Sequence, residues 1–350
     1  MSTEADAGTF ELLRPANARD AAALLARAGA RPLAGGTDLL PNLRRGIGSP
    51  RWLVDLSAVP AFDTVHEGSD GFRIGAGITL ARLAKHPLLA AALPAIAEAA
   101  GAVAGPGHRS AATLGGNLCQ DTRCVFYNQS AWWRAANGHC LKLAGDTCHV
   151  APQGHRCHAA YEGDVAPALI ALGASVSLVS VAGGDDDRQR ETRRTAPLHT
   201  LYRDDGAAHL TLEANELLEA VYVPRPAPGT VSGYHKVRAR AAMDFPLAGV
   251  GLSLTLDAGG RIAALTVGVS GTNSQPLLLE GTGALAGTPP DEAAGRALGK
   301  LVSKQVSPMR STVTASHHRR LVAVVAAQRL LATLAEKAQG AGAASQERRT

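Results

Sequence analysis

The stretch Arg31-Pro32-Leu33-Ala34-Gly35-Gly36-Thr37-Asp38-Leu39-Leu40 runs a short apolar strand into a double glycine followed by a hydroxyl residue. Paired glycines let backbone amides face outward and approach an anion closely, and Thr37 adds a hydroxyl donor. Taken alone, the pattern is equally an ordinary strand-to-helix turn. About 75 residues later, Ala112-Thr113-Leu114-Gly115-Gly116-Asn117 repeats the same chemistry. Two such turns can face each other across one crevice and hold both ends of a diphosphate. Neither turn matches the G-x-G-x-x-G fingerprint, so a Rossmann fold is not indicated.

The second turn opens the region that holds every cysteine. Cys119, Cys124, Cys140, Cys148 and Cys157 fall inside 39 residues. Clustered thiols mean disulfides, zinc or an iron-sulfur cluster. Met1-Ser2-Thr3-Glu4 carries no charged-then-apolar signal segment, so the expected compartment is the reducing cytosol and disulfides are the weakest reading. Zinc sites usually present thiols in close pairs, and only Cys119 and Cys124, with four residues between them, come near that spacing. The later gaps of 15, 7 and 8 residues suit separate loops around a bulky cubane, which needs four thiolates. Spacing favours the 4Fe-4S reading over zinc and over unligated buried cysteines, and leaves all three open.

Outward from these stretches, the pattern alternates strand and helix. Residues 17–29 read as a helix ending at Gly29, 51–56 and 72–77 as strands, and 86–104 as helical segments divided by Pro87 and Pro94. Gly163 to Leu172 reads as a helix that Asp164 would cap, followed by a strand over 174–179. The Asp- and Arg-rich run from Gly183 to Arg194 reads as a solvated hairpin or loop. Strands at 217–224, 249–256 and 262–269 precede a long helix from about Ser316 to Lys337, with His317 and His318 at its surface near the start. The expected fold class is α+β. The expected divisions are 1–59, 60–228 with an insertion at 118–162, 229–337, and a disordered tail at 338–350.

A chain of 350 residues with 46% apolar content has room for two or three domains. The net charge of +5 is spread along the chain and aromatic residues make up 4%, which argues against a nucleic-acid surface. No run of 18 apolar residues occurs, so no membrane-spanning helix is expected.

Four motifs in order resemble the flavoprotein subunits of the molybdenum hydroxylases, the group containing xanthine dehydrogenase and carbon monoxide dehydrogenase. They are Ala34-Gly35-Gly36-Thr37-Asp38, Thr113-Leu114-Gly115-Gly116-Asn117, Gly163-Asp164 leading into Ala166-Pro167-Ala168-Leu169, and Tyr234-His235-Lys236 followed by Arg240 and Asp244-Phe245-Pro246-Leu247. The resemblance covers nearly the whole chain and implies a two-subdomain FAD-binding fold with a C-terminal α+β domain. It implies that Leu33, Ala34, Gly35, Gly36, Thr37, Asp38 and Leu39, with Ala112, Thr113, Gly116 and Asn117, wrap the FAD diphosphate. Asp164 would bind the ribityl or ribose hydroxyls and Lys236 would lie near the isoalloxazine, where its charge could stabilise reduced flavin.

In most relatives the acidic helix start follows the Gly-Gly-Asn turn closely, whereas here 46 residues separate Asn117 from Asp164. The cysteine spacing of this insertion is similar to that of the β subunit of 4-hydroxybenzoyl-CoA reductase, which implies a 4Fe-4S cluster on Cys124, Cys140, Cys148 and Cys157 with Cys119 a bystander. The resemblance further implies a molybdopterin-binding large subunit, a 2Fe-2S small subunit, assembly as a dimer of heterotrimers, and a low-potential donor such as ferredoxin. The insertion is expected to pack mainly on itself, so that it could be excised without loss of the flavin site.

Overall fold

The structure, a computed structural model, describes residues 10–181, 190–241 and 243–347. The expected frayed segment 1–9 lies outside these, as do 183–189 of the charged run and 348–350 of the expected tail.

Three sheets organise the chain. The first is parallel, with Trp52–Asp55 between Glu11–Leu13 and Ala30–Leu33. Its crossover helix, Ala18–Leu25, starts at Asn17, whose side chain accepts the Asp20 amide at 2.9 Å. This satisfies one of the donors that a helix start leaves orphaned. Buried Ala21 and Leu25 pack this unit onto Val179 and Leu217 of the second sheet. That sheet is antiparallel, in the order Val65–Glu67, Gly71–Gly75, Glu216–Pro224, Ser175–Val181, Glu191–Pro197. The third, also antiparallel, runs Leu277–Leu278, Ile262–Ser270, Ala248–Leu256, Thr230–Val237 and is covered by the helices Glu292–Gln305 and Ser316–Glu347. One parallel and two antiparallel sheets with helices on their faces make the α+β architecture expected. Among the described residues no helix is long and apolar enough to cross a membrane.

The helix Val165–Ala171 joins the halves. All seven of its residues are buried, between the core of the second sheet and the strands Ala248–Leu256 and Ile262–Ser270. A helix apolar on every side must be covered on every side.

Residues 191–194 of the charged run belong to the strand Glu191–Pro197, antiparallel to Ser175–Val181, which is the hairpin of the two alternatives; Arg194 pairs with Glu216 across the sheet at 2.6 Å. Two expectations are corrected. The last helix runs to Glu347, past the Lys337 end expected from its apolar pattern. The insertion is not self-contained. Leu118 and Tyr161, at its two ends, are fully buried in the main core. Thr122 Oγ1 donates to the Gly206 carbonyl at 2.6 Å, and the Val125 amide donates to Ser311 O at 2.8 Å. Its own helix, Ala131–Ala136, is too short to form a core and instead sends Arg134 to the Arg45 carbonyl at 2.6 Å.

Candidate cofactor site

The strand Ala30–Leu33 ends where Leu33 O accepts the Leu56 amide at 2.8 Å, and the chain then turns through Ala34, Gly35, Gly36 and Thr37 into the helix Leu39–Arg44. Gly36 has φ +70°, the left-handed region that favours glycine. At Gly35 the demand is spatial, because a Cβ would stand 1.9 Å from the Ala111 carbonyl oxygen. The first glycine turn therefore packs directly against Ala111 and Ala112, where the second begins, closer than two turns facing each other across a crevice. The amides of Gly35, Gly36, Thr37 and Asp38 donate to no protein acceptor among the described residues, and all four residues are half-buried. Successive amides without a protein acceptor, in a partly shielded turn, are the kind of backbone that can form an anion-binding nest.

The second turn differs. Thr113 caps the short helix Leu114–Leu118 by accepting the Gly116 amide at 3.1 Å. Gly115 N donates to Ala76 O at 2.7 Å and Asn117 N to Thr113 O at 2.9 Å, while Ala112 O accepts the Leu80 amide. Of its amides only that of Thr113 donates to no protein acceptor among the described residues, so the two turns are not equivalent halves of one cradle.

Asn117 is buried and its side chain accepts the Val165 amide at 3.2 Å, so Asn117, not Asp164, caps the following helix. Asp164 makes no side-chain cap bond. Its carboxylate accepts the Tyr234 hydroxyl at 2.6 Å and the Lys236 ammonium at 2.9 Å, and Lys236 also donates to Ala102 O at 3.1 Å. Burial pushes the Asp164 carboxyl up, opposed by Lys236 and the Tyr234 bond. The two residues that the motifs set far apart are thus partners in one buried ion pair.

Sequence reasoning missed three groups. Arg123, buried, forms an ion pair with Asp38, donates to Asn42 Oδ1 at 3.1 Å and lies 5.6 Å from the centre of the Phe245 ring. The Asp121 amide donates to the other Asp38 oxygen at 2.9 Å. Glu162 is buried, and desolvation pushes its carboxyl up to about 7 against the pull of Arg319 and Arg123. The available signal was an acidic and a basic residue, Asp121 and Arg123, close together between Cys119 and Cys124.

Cys124, Cys148 and Cys157 are buried and Cys140 is partly so; Cys124, Cys157 and Cys140 pack with Ile47, Tyr127 and Ala159. Cys124 lies close enough to Cys140 and Cys148, and Cys157 to Cys148 and Cys124, to disfavour one another's ionisation. Burial raises Cys124 and takes Cys157 to about 12, with Lys142 acting to lower the latter. Cys119 stands apart beside Tyr161 and Tyr202 at the edge of the main core, its thiol pushed up to about 12 by burial. Among the described residues no three His, Cys, Asp or Glu side chains converge on a single ion position. A zinc ion requires that convergence at about 2.3 Å per sulfur. A cubane bonds each thiolate to a different iron, so its sulfurs stand farther apart.

Two clefts lie elsewhere. One of about 550 Å³ opens between Val125, Phe126 and the start of the last helix, and one of about 370 Å³ between the two C-terminal helices. Neither is lined by the glycine turns.

Against known families, residues 8–226 match the FAD binding domain in molybdopterin dehydrogenase, and residues 233–334 match the CO dehydrogenase flavoprotein C-terminal domain. The carbon monoxide dehydrogenase medium chain of Afipia carboxidovorans is 30% identical over 291 residues, 82% of this chain and 83% of that one. The aldehyde oxidoreductase FAD-binding subunit PaoB of Escherichia coli is 31% identical over 243 residues, 67% of this chain and 74% of that one. Among solved structures, the CO dehydrogenase of Oligotropha carboxidovorans superposes with a TM-score of 0.75 at 26% identity, covering 94% of this chain and 98% of that one.

Proposed function

The chain belongs to the family of FAD-binding subunits of molybdopterin dehydrogenases, and from that premise we propose that it passes electrons within a heteromeric molybdenum enzyme, holding both FAD and a 4Fe-4S cluster. FAD and the cluster would supply the electron chemistry, FAD exchanging pairs or single electrons and the cluster single ones. The nest of undirected amides at Gly35 to Asp38, touching the second turn at Ala111, is the observation that carries the FAD reading. Those amides would bind the diphosphate. Thr113 and Asn117 hold the second turn rigid from within, and Leu33, Ala34, Leu39 and Ala112 shape the approach to it.

Asp164 and Lys236 are proposed as the polar floor of the flavin site. Their mutual bond fixes the ammonium where it can balance negative charge arriving on the flavin. Cys124, Cys140, Cys148 and Cys157 are proposed as the cluster ligands. What supports the reading is the spacing of the four thiols in the sequence and the nearness of Cys124 to Cys140 and Cys148, and of Cys157 to Cys148 and Cys124.

The chain carries no second group of cysteines, so a 2Fe-2S centre and the molybdopterin would reside on partner chains, a small and a large subunit, assembled as a dimer of heterotrimers. The cysteine insertion supports an inward direction of electron flow, from a low-potential donor such as ferredoxin to a reductive dehydroxylation of the 4-hydroxybenzoyl-CoA reductase type. A second reading, outward flow from a substrate being oxidised, is favoured by the relatives, which are named as dehydrogenases and an aldehyde oxidoreductase.

Purified complex separates the two. Bleaching of the flavin absorbance on adding an aldehyde, with no effect of 4-hydroxybenzoyl-CoA on dithionite-reduced complex, supports outward flow. Reoxidation by 4-hydroxybenzoyl-CoA supports the reductase.

A further inference from the structure

The nest at Gly35 to Asp38 has no internal hydrogen bonds, and the helix after it, Leu39–Arg44, spans six residues with no side-chain cap from Asp38. A helix this short is marginal by itself and takes its stability from what holds its ends. Here the cysteine-rich insertion holds both. At the N-terminal end, Asp38 receives the Asp121 amide and the Arg123 guanidinium, and Arg123 also reaches Asn42 inside the helix. At the C-terminal end, Arg134 donates to the carbonyls of Arg45 at 2.6 Å and Gly46 at 3.4 Å, capping acceptors that the helix leaves open. A cation at that end also complements the helix dipole. Ile47, whose amide donates to Asn42 O at 2.9 Å, then buries its side chain among Cys124, Cys157 and Tyr127.

The holding groups are in turn tied to the thiols. Arg123 precedes Cys124 in the chain, and Arg134 also donates to the carbonyls of Tyr127 and Gln129 in the segment that follows Cys124. The cysteine pocket and both ends of the helix Leu39–Arg44 are thus joined through these two arginines.

We propose that the insertion is a clamp: through Arg123 and Arg134 it sets the shape of the first glycine turn, so that the integrity of the cysteine site governs how tightly the chain retains FAD. The inference rests on the assignment of FAD to that turn. Arg123 and Arg134 act as positioning residues.

The test uses the full chain in four variants. Flavin affinity is read by fluorescence titration of flavin-stripped protein with FAD, and hydrogen exchange over residues 39–47 is read without flavin. Arg134→Ala should weaken FAD binding by about tenfold or more, equivalent to about 1.4 kcal/mol, and speed exchange over 39–47. Arg134→Lys should move both readouts the same way by less, and Cys140→Ser, which leaves both arginines in place, should also move both. Leu298→Ala, in the C-terminal core, should lower the melting temperature while leaving both readouts unchanged. Unchanged exchange over 39–47 in folded Arg134→Ala overturns the clamp, and Arg134→Lys decides in the same way if the alanine variant is not recovered folded. Unchanged readouts in Cys140→Ser overturn its link to the cysteine site. A wild-type chain that binds no FAD, while exchange still responds to Arg134→Ala, overturns the flavin assignment and leaves the clamp standing.

Discussion

Adding one methyl group at Gly35 is the sharpest available probe of the contact between the two glycine turns. The new Cβ would stand 1.9 Å from Ala111 O, 2.5 Å from Ala111 C and 2.9 Å from Ala112 N. Because Cβ contacts under 3.0 Å are essentially never seen, the turns would have to part by about 1 Å. All three obstructing atoms are backbone, so no side chain can rotate away. Forcing such a contact open costs about 1–3 kcal/mol, and more where backbone must move. Gly36→Ala is the comparison. Its cost is the left-handed backbone, about 1–2 kcal/mol, because its nearest obstacle is the movable end of the Leu40 side chain at 2.8 Å. Gly35→Ala should therefore lose FAD and lower the melting temperature at least as much as Gly36→Ala. The assay is flavin absorbance per chain after gel filtration, beside a thermal melt of the flavin-stripped protein. Full flavin content and an unchanged melt in Gly35→Ala would refute the reasoning.

Cys119→Ser should keep its iron while Cys140→Ser loses it, as read by iron analysis and electron paramagnetic resonance, since Cys119 faces Tyr161 and Tyr202 rather than the other thiols. Glu162 holds its proton to about pH 7 when folded and releases it near 4.5 when unfolded. The folded chain therefore binds the extra proton between those values, and this residue's contribution to stability falls as pH rises through that window and is flat above it. Urea midpoints of wild type relative to Glu162→Gln should fall over that range, and parallel curves would count against the assignment. Excision of Leu118 to Glu162 should give a chain that is insoluble or flavin-free on gel filtration, because the deletion removes Leu118 and Tyr161 from the main core and frees both ends of the helix Leu39–Arg44.

Much of the fold was legible because its signals are local. Asn17 marks a helix start by side-chain capping, Pro87 and Pro94 divide a helical run, and alternation marks the two strands Ala248–Leu256 and Ile262–Ser270 of the third sheet. The glycine turns were legible as turns, but their inequivalence was not. Whether the amides of Gly115 and Gly116 are free depends on Ala76, which strand pairing brings alongside, and on the Thr113 cap. The role of Asp164 was misread for the same reason. Asp before a helix is a capping signal, yet Asn117, 47 positions earlier, arrives in space to cap Val165 and leaves Asp164 to Tyr234 and Lys236. The insertion looked separable because its boundaries fall beside motifs shared with relatives. Its ties through Arg123 and Arg134 are long-range and carry no local pattern.

The central claim is that one chain holds both FAD and a four-iron cluster. Anaerobic purification of the full chain, followed by visible absorption, released-flavin assay, metal analysis and low-temperature electron paramagnetic resonance of the dithionite-reduced protein, tests it directly. The account predicts FAD together with about four irons per chain and a reduced-cluster signal. Flavin with zinc or without metal would contradict the cluster, and iron without flavin would contradict the reading of the glycine turn.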